Sequence, residues 1–410
     1  MGNQDPHGHR RHQIIWLLIL LFVITYMDRI CISVAGPRMQ EELRISPVGW
    51  GWVTGIFTIA YCLFEIPAGL LGDRLGPRRV LTRIVLWWSG CTALTGAMMS
   101  FYPLLVTRFL FGAGEAGAFP NASIVVARWF PSHRGAMLCG TMLAAAQIGG
   151  AASPLLVVPI QVHFGWRMSF FVFGAIGIVW AGAWYVWYRD TPPGSPERPQ
   201  ARSHHSFPWH AALHSPSTLA LLVTAACYVY VFNFFQTWFH TFLVRGRGFG
   251  EGSLWLSAFP YVVAACANLA GGAASDWLVQ KLGRKNGRRS VGATALGIAG
   301  IFTLAAMLTR GPILTMLYLA VVYGAITFQQ SGVFGVCLDI GRARTGAMVG
   351  LMNTAGQIGG FVGSVAYGHL VEYFGNYDAP FLPMAALLFL GALLWLKVDA
   401  SKELMAHHRS

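Results

Sequence analysis

Twelve long apolar stretches, separated by short polar segments, dominate the pattern of the chain. They lie at 14–36, 49–71, 80–100, 103–126, 136–160, 166–188, 217–243, 253–275, 289–309, 312–336, 345–369 and 378–397. About 20 apolar residues are enough for a helix to cross a bilayer. Because lipid offers no hydrogen bonds, the backbone groups of such a stretch must be satisfied within it. The pattern therefore predicts an all-α polytopic membrane protein with 12 transmembrane helices.

The single long polar break lies midway, at residues 189–213, and is rich in Pro, Ser, His and Arg. A segment of this composition is typical of a solvated linker. We therefore expect an N-terminal six-helix half at 1–188, a cytoplasmic linker at 189–213, a C-terminal six-helix half at 214–397 and a cytoplasmic tail at 398–410.

Composition and charge place the chain in lipid and orient it. Hydrophobic residues make up 55% of the 410 residues and charged residues 11%, too few to cover a soluble domain. The net charge of +13 comes from short loops rather than one basic face, which argues against nucleic-acid binding. With the N-terminus inside, 21 of the 29 Lys and Arg residues lie on the inner side and 6 on the outer side. This asymmetry predicts that both termini are cytoplasmic. No small-residue cleavage site follows the first apolar stretch, so we expect an uncleaved first helix.

The two halves repeat one motif. Gln-Ile-Gly-Gly at 147–150 recurs at 357–360, 210 positions later, and each copy follows a Gly-Ala-Met by about a dozen residues. Parallel six-helix repeats imply a central cavity at the interface of the halves.

Four charged residues inside the predicted spans are the main candidates for chemistry, because such charges are expensive in a membrane. Arg108 and Glu115 are seven residues apart, which places them on one helix face about 10 Å from each other. Asp28 and Arg29 are adjacent and diverge by about 100°. A purely structural ion network is the alternative, although an apolar helix needs neither charge.

These four residues indicate an anion coupled to protons. Guanidinium groups match carboxylates with forked donors. Carboxylic acids in a site of low dielectric constant bind protons more readily. Protonation would leave Arg29 and Arg108 without compensation and favour an anion, and the anion would favour protonation in return.

Other polar residues leave alternatives open. Glu65 is either a third titrating group or a structural hydrogen-bonding group, which we favour. His240 could titrate near neutral pH, although a hydrogen-bonded structural role is favoured. Tyr61, Gln147, Asn233, Gln329, Gln330, Asn353 and Gln357 either join helices or contact a polar substrate. Seven cysteines lack metal-ligand spacing and there is no nucleophile–base pair, so neither a metal site, a cofactor nor an enzyme activity is predicted.

The segment GLLGDRLGPRR at 69–79 resembles the loop signature of the major facilitator superfamily. The resemblance implies that fold, with two six-helix halves. It also implies a conformational gate in this loop, with Asp73 pairing across the halves beside Arg74 and Arg78.

Three further motifs resemble the anion:cation symporter family within it. They are YMDR at 26–29 followed by Ser33, GEAGAFPNA at 114–122 and LMNTAGQIGG at 351–360. The resemblance implies proton coupling at Asp28 and Glu115. It implies substrate binding by Arg29, Tyr61, Arg108, Gln147, Gln330 and Asn353. His240 stands where the family often has a helix-bending proline, and Phe242 where it has a tyrosine.

From these features we expect a secondary transporter that imports a small organic anion, such as a hexuronate, aldonate or aldarate, with protons as the energy source. The expected setting is a bacterial inner membrane, and the expected functional state is a monomer. An exporter or exchanger of organic anions or drugs is the main alternative, although paired arginines argue against a drug site. A sensor is a more distant one.

Overall fold

The computed structural model describes residues 8–130, 135–190, 209–341 and 345–401, and within them the chain is helical without a strand. The helices are α1 (Gly8–Glu42), α2 (Pro47–Leu75), α3 (Pro77–Gly96), α4 (Phe101–Glu115), α5 (Ala118–Trp129), α6 (Gly135–Phe164), α7 (Trp166–Trp187), α8 (Trp209–His214), α9 (Pro216–Thr237), α10 (Phe239–Thr241), α11 (Ala258–Leu308), α12 (Pro312–Gly341), α13 (Thr345–Phe374) and α14 (Phe381–Trp395). A π-helix at Phe242–Gly246 and a 3₁₀-helix at Glu251–Ser257 complete the order.

Every predicted apolar stretch falls in helical structure, so the all-α class is confirmed. Among the described residues, 8 helical segments are long and apolar enough to cross a membrane. One of them, Ser253–Leu308, contains two predicted spans. The predicted spans in α3, α13 and α14 lie in helices outside that set.

Two helices differ from the predicted spans. The stretch 103–126 is divided, because α4 ends at Glu115 and α5 begins at Ala118. The stretches 253–275 and 289–309 share α11, which is interrupted at Gly283 by a φ of 77°. Positive φ is readily adopted by glycine alone, so this residue makes the turn between the two spans.

Short local signals set several helix starts. Gly76 has a φ of 84° and is followed by Pro77 at the first position of α3. Ser215 accepts a hydrogen bond from the backbone N–H of Thr218 and is followed by Pro216 at the start of α9. Proline suits the first helical turn because its missing N–H has no partner there anyway.

The described residues form two compact units. One lies within Met1–Cys31 and Ile59–His205, and the other within Ile32–Thr58 and Ser206–Ser410. Segment Ile32–Thr58, which holds the end of α1 and the start of α2, thus belongs with the C-terminal helices. The predicted halves at 1–188 and 214–397 stay a prediction. Most of the linker at 189–213 and of the tail at 398–410 lies outside the described residues.

The repeated motif performs the same packing task in each unit. In the first unit, a Cβ built on Gly149 of α6 would lie 2.2 Å from the carbonyl oxygen of Val23 in α1. In the second unit, a Cβ on Gly359 of α13 would lie 2.2 Å from the carbonyl oxygen of Ala226 in α9. Each glycine therefore allows two helix backbones to touch, as is common in membranes.

Candidate functional site

Arg29 of α1 lies at the centre of the charged residues of the first unit. Its Nε donates a hydrogen bond to Oε1 of Glu115, at the end of α4. The side chain of Glu115 is fully buried, whereas that of Arg29 is 18% exposed. The guanidinium carbon also lies 4.7 Å from the centre of the Tyr61 ring and 5.4 Å from that of Tyr26. Arg29 is thus held by one carboxylate and two aromatic faces.

Asp28, the neighbour of Arg29, is buried close enough to Glu115 for their charges to interact. It is 2% exposed, and neither carboxyl oxygen makes a hydrogen bond of normal geometry with a described residue. The indole of Trp88, together with Glu115 and Arg108, is near enough to act on it electrostatically. The Asp28 carboxyl group is therefore buried without a cationic hydrogen-bond partner among the described residues.

Arg108 is the second buried arginine, two turns before Glu115 on α4. It is 3% exposed, and its guanidinium carbon lies 4.6 Å from the centre of the Phe111 ring. Charge interactions connect it to Glu115 and to Asp28. Both arginines and both acids therefore belong to one electrostatic group within the first unit. Gln147 of α6 is buried in the same unit.

The two predicted substrate residues of the second unit are Gln330 of α12 and Asn353 of α13, and both are half-buried. Gln329, by contrast, is fully buried and accepts a hydrogen bond from the indole of Trp395 at 3.2 Å. Asn233 donates to the carbonyl oxygen of Gly360 at 2.8 Å and to the hydroxyl of Ser364. Gln329 and Asn233 therefore join helices, in agreement with the structural alternative.

The predicted gate residues lie at the junction of α2 and α3. Arg74 is exposed, and the side chain of Asp73 lies outside the described residues. Arg78 donates to the carbonyl oxygen of Tyr185 at 2.7 Å and 3.0 Å, and its backbone N–H donates to Asp190 at 3.0 Å. Arg128 reaches the same Asp190 at 3.7 Å. In this structure Arg78 therefore fastens the end of α7.

The remaining two candidates differ in environment. Glu65 is half-buried, one turn from Tyr61, and acts on it electrostatically. His240 is fully buried, with Nδ1 2.9 Å from the Ser33 hydroxyl and Nε2 2.9 Å from the Ser257 hydroxyl. The favoured hydrogen-bonded state of His240 is therefore observed.

Three aromatic residues of the site were not among the predicted site residues. Tyr26 and Phe111 each lie three positions from the arginine they contact, so helical spacing carried the signal for both. Trp88 on α3 gave no such signal, because its approach to Asp28 depends on how two helices pack.

The arrangement can exchange one anion for another. An incoming carboxylate or sulfonate near Arg29 would compete with Glu115 for the guanidinium, and a proton on Glu115 would release it. No group of three or more His, Cys, Asp or Glu side chains suited to a metal ion occurs in the part of the chain that the structure describes.

Comparison with known proteins gives consistent results. The sequence model described as the Major Facilitator Superfamily matches residues 18–364. A probable sulfoacetate transporter of Cupriavidus necator is 31% identical over 405 residues, covering 95% of this chain and 94% of the relative. A hexuronate transporter of Bacillus subtilis is 28% identical over 397 residues, covering 93% and 92%. A quinolone resistance transporter of Acinetobacter baumannii is 28% identical over 420 residues, covering 94% and 93%.

Among solved structures, a bacterial homologue of the human lysosomal transporter Spinster, in an inward-facing and unoccupied conformation, has the same fold. The TM-score is 0.78 at 20% sequence identity, and the match covers 97% of this chain and 99% of the other.

Proposed function

Because this chain belongs to the major facilitator superfamily and is a membrane transporter rather than an enzyme, we propose that it imports a small organic anion together with protons. The observation that carries the proposal is the Arg29–Glu115 pair, buried in the first unit beside the Asp28 carboxyl group. Two further features support the proposal. Two relatives are named as transporters of small organic anions. Arg29 and Arg108 are the 2 Lys or Arg residues that lie within the predicted spans.

Proton coupling follows from competition for Arg29. With Glu115 ionised, the guanidinium is already neutralised, so an anion gains little there. A proton on Glu115 removes that competitor, and Arg29 then favours an anionic ligand. By thermodynamic linkage, the bound anion strengthens proton binding by the same factor.

Asp28 supplies the second proton site. A buried carboxyl group without a hydrogen-bonded cation is more stable in its neutral form. Its charge and that of Glu115 repel each other, so protonation of one acid affects the other. When both acids are ionised, the two acids and two arginines together carry no net charge. Each proton that binds adds one positive charge, and a bound anion offsets this charge.

The class of anion is proposed to be a sugar acid, such as a hexuronate, aldonate or aldarate. Tyr61 and Gln147 of the first unit would supply hydrogen-bonding groups for hydroxyls. The same role is proposed for Gln330 and Asn353 on the family resemblance. The hexuronate transporter of B. subtilis supports this class. The C. necator relative is named for sulfoacetate, a smaller organic anion with one sulfonate and one carboxylate.

The second candidate function is export or exchange of organic anions or drugs. The quinolone resistance transporter of A. baumannii favours it. Arg29 and Arg108 argue against export of neutral or cationic drugs, because guanidinium groups suit anions.

The setting is part of the proposal. Alternating access would expose the site to each side in turn. Both termini would be cytoplasmic in a bacterial inner membrane, since 21 basic residues lie on that side and 6 on the other. The functional unit would be a monomer.

The test is uptake into proteoliposomes. The purified full chain is reconstituted, and labelled sugar acids, sulfonates, dicarboxylates, aromatic acids, amino acids and a fluoroquinolone are supplied with and without an inward proton gradient. Arg29→Gln is the site variant, and Arg310→Gln, at an exposed arginine, is its matched control.

Accumulation of an anion that a protonophore abolishes, and that Arg29→Gln loses while Arg310→Gln keeps it, is expected. Exchange of the anion without a proton gradient would identify the protein as an exchanger rather than a symporter. Proton-driven efflux of the fluoroquinolone, with no anion uptake, would establish the export alternative.

A further inference from the structure

The seventh predicted span is interrupted where the family pattern often has a proline. Here α9 ends at Thr237 and a short α10 begins at Phe239, followed by the π-helix Phe242–Gly246. His240 lies at this interruption and its imidazole is fully buried. The bend is therefore formed without proline, and a titratable ring occupies it.

The hydrogen-bond network fixes the tautomer of His240. The Ser257 hydroxyl donates its single proton to the carbonyl oxygen of Leu254 at 2.5 Å. Toward His240 it can only accept, so Nε2 carries the hydrogen. The other nitrogen of this neutral ring, Nδ1, then accepts from the Ser33 hydroxyl of α1.

A second proton would place a positive charge on a fully buried ring. Protonated Nδ1 would become a donor, so the Ser33 hydroxyl would have to turn its own proton toward another acceptor. No described carboxylate makes a hydrogen bond or ion pair with the ring, and charged neighbours do not act on it. A buried imidazolium would therefore lack compensation.

The ionisable groups on the elements packed around the ring are engaged elsewhere. Arg29 pairs with Glu115, and the Tyr261 hydroxyl donates to the carbonyl oxygen of Phe235 at 2.6 Å. Arg245 donates to Gln40 and to the carbonyl oxygen of Pro37. Other ionisable groups on these elements include Tyr26, Asp28, Cys31, Arg38, Glu41 and Glu42 of α1, and Glu251 of the 3₁₀-helix, whose side chain lies outside the described residues.

The same face of α1 continues in polar contacts. Two turns beyond Ser33, Gln40 donates to the hydroxyl of Thr241 at 3.0 Å and accepts from Arg245 at 3.4 Å. Between them, Gly36 allows the close approach, because a Cβ there would lie 3.1 Å from the Thr241 hydroxyl. Water can replace each of these hydrogen bonds, so this end of α1 is held by contacts suited to repeated release.

We propose that His240 is a proton-binding site that becomes available when segment Ile32–Thr58 leaves the helix interruption, so that external protons hold the released segment open. The proposal rests on the alternating access proposed above. In the docked state the ring is neutral and bonded on both sides. In the released state it meets water and accepts a proton, and the charged ring then opposes return to the buried site.

The size of the effect follows from linkage. A histidine in water has a pKa of about 6.5, and a ligand that binds one of two states shifts the equilibrium toward that state. Above that pH the proton has no influence. Below it, each further pH unit favours the released state by up to about tenfold.

The test is hydrogen–deuterium exchange of the full chain in nanodiscs at pH 5.5 and 7.5, corrected for the intrinsic pH dependence of amide exchange. The reporting peptides cover residues 32–48 and 238–249. The variants are His240→Gln, which keeps one donor and one acceptor without titrating, and His240→Asn as a second neutral replacement. His369→Gln is the matched control, because His369 is exposed on α13.

We expect wild type and His369→Gln to exchange faster at pH 5.5 in both peptides, by up to about tenfold, and His240→Gln to exchange equally at both pH values. Ser33→Ala should exchange faster at pH 7.5, because the docked state loses its bond. The proposal is overturned if the wild-type peptides do not respond to pH, or if both His240 variants respond as wild type does.

The failure of this proposal can be distinguished from the failure of the proposed function, because the exchange measurement needs no substrate. A pH response that depends on His240, together with a failure of proton-driven uptake, would retain the proton site and reject the symport. Proton-driven uptake without the pH response would retain the symport and reject the proton site at His240.

Discussion

Gly149 of α6 lies against the backbone of Val23 in α1, so close that an added Cβ would be 2.2 Å from the Val23 carbonyl oxygen. One turn later, Ser153 donates a hydrogen bond to the carbonyl oxygen of Met27 at 3.2 Å. These two contacts hold α6 against the turn of α1 that precedes Asp28 and Arg29. The positions of Asp28 and Arg29 therefore depend on Gly149, a residue without a functional group.

Gly149→Ala is expected to destabilise the protein, because backbone cannot move aside as a flexible side chain can. Overpacking of this kind costs about 1–3 kcal/mol. Gly140→Ala in the same helix is the control, since a Cβ there meets nothing within 4 Å. The control should gain about 0.5–1 kcal/mol from helix propensity. Thermal unfolding in detergent measures both, and equal midpoints would contradict the contact.

Glu115→Gln is expected to weaken the coupling of transport to protons. The amide mimics the protonated acid, so Arg29 loses its competitor and anion binding persists. Accumulation in proteoliposomes should fall well below that of wild type, because Asp28 is then the one proton site of the proposed pair that remains. Counterflow of labelled anion should continue. Glu41→Gln, at an exposed acid, is the control and should accumulate as wild type does. Full accumulation in Glu115→Gln would reject a proton role for this residue.

Asp28→Asn is expected to make anion binding less dependent on pH. In wild type the buried acid must be neutral for the anion to bind well, so affinity should fall as pH rises. The amide is always neutral, so affinity should fall less between pH 5.5 and pH 7.5 than in wild type, and Glu115 would account for the part that remains. Ligand-induced thermal shifts across this pH range measure the effect. Unchanged pH dependence would show that Asp28 does not take part.

Arg288→Lys is expected to destabilise the second unit by about 1–3 kcal/mol. Arg288 donates to the Ser275 hydroxyl at 2.6 Å, to Asp276 at 3.1 Å and to Asp339 at 3.3 Å. A single ammonium group cannot reach all three. Arg289→Lys is the control, because Arg289 makes one described bond, to the carbonyl oxygen of Val398. Its thermal midpoint should fall less than that of Arg288→Lys, and the reverse order would contradict the three-way contact.

Asp399 predicts an acid-dependent loss of stability. Burial opposes the charged form, but bonds from Ser401 and the ammonium group of Lys285 outweigh it and lower the pKa of this carboxyl group. The stabilisation is therefore present above the unfolded pKa of about 3.9 and is lost as pH falls through the folded value. Wild type should unfold at a higher temperature than Asp399→Asn at pH 6, and the difference should shrink as pH falls below about 3.9. A difference that stays constant or grows on acidification would contradict the role of the ionised carboxyl group.

Much of the fold was accessible from the sequence. The apolar stretches gave the helices because their length and their lack of charge leave lipid as the only suitable surroundings. The repeat at 147–150 and 357–360 predicted equivalent helices, and the contacts of Gly149 and Gly359 confirm the equivalence. Asp28 and Arg29 were expected to diverge, since adjacent helical residues must.

What the sequence could not supply depends on distances between helices. The sequence does not show which acid pairs with Arg29. The packing of α1 against α4 selects Glu115. The break between Glu115 and Ala118 leaves no mark in the apolar pattern, because the segment stays apolar on both sides. The grouping of Ile32–Thr58 with the C-terminal helices was equally hidden, as no composition change occurs within α1.

The grouping of Ile32–Thr58 with the C-terminal helices matters when the chain is expressed as two fragments divided within 189–213. The N-terminal product would carry Ile32–Thr58, although this segment packs with the C-terminal product. The C-terminal product made alone would leave Thr241 and Arg245 without Gln40, and His240 without Ser33. Each product would therefore be an incomplete folding module, and co-expression would restore both through a donated segment rather than through the contact of two finished domains.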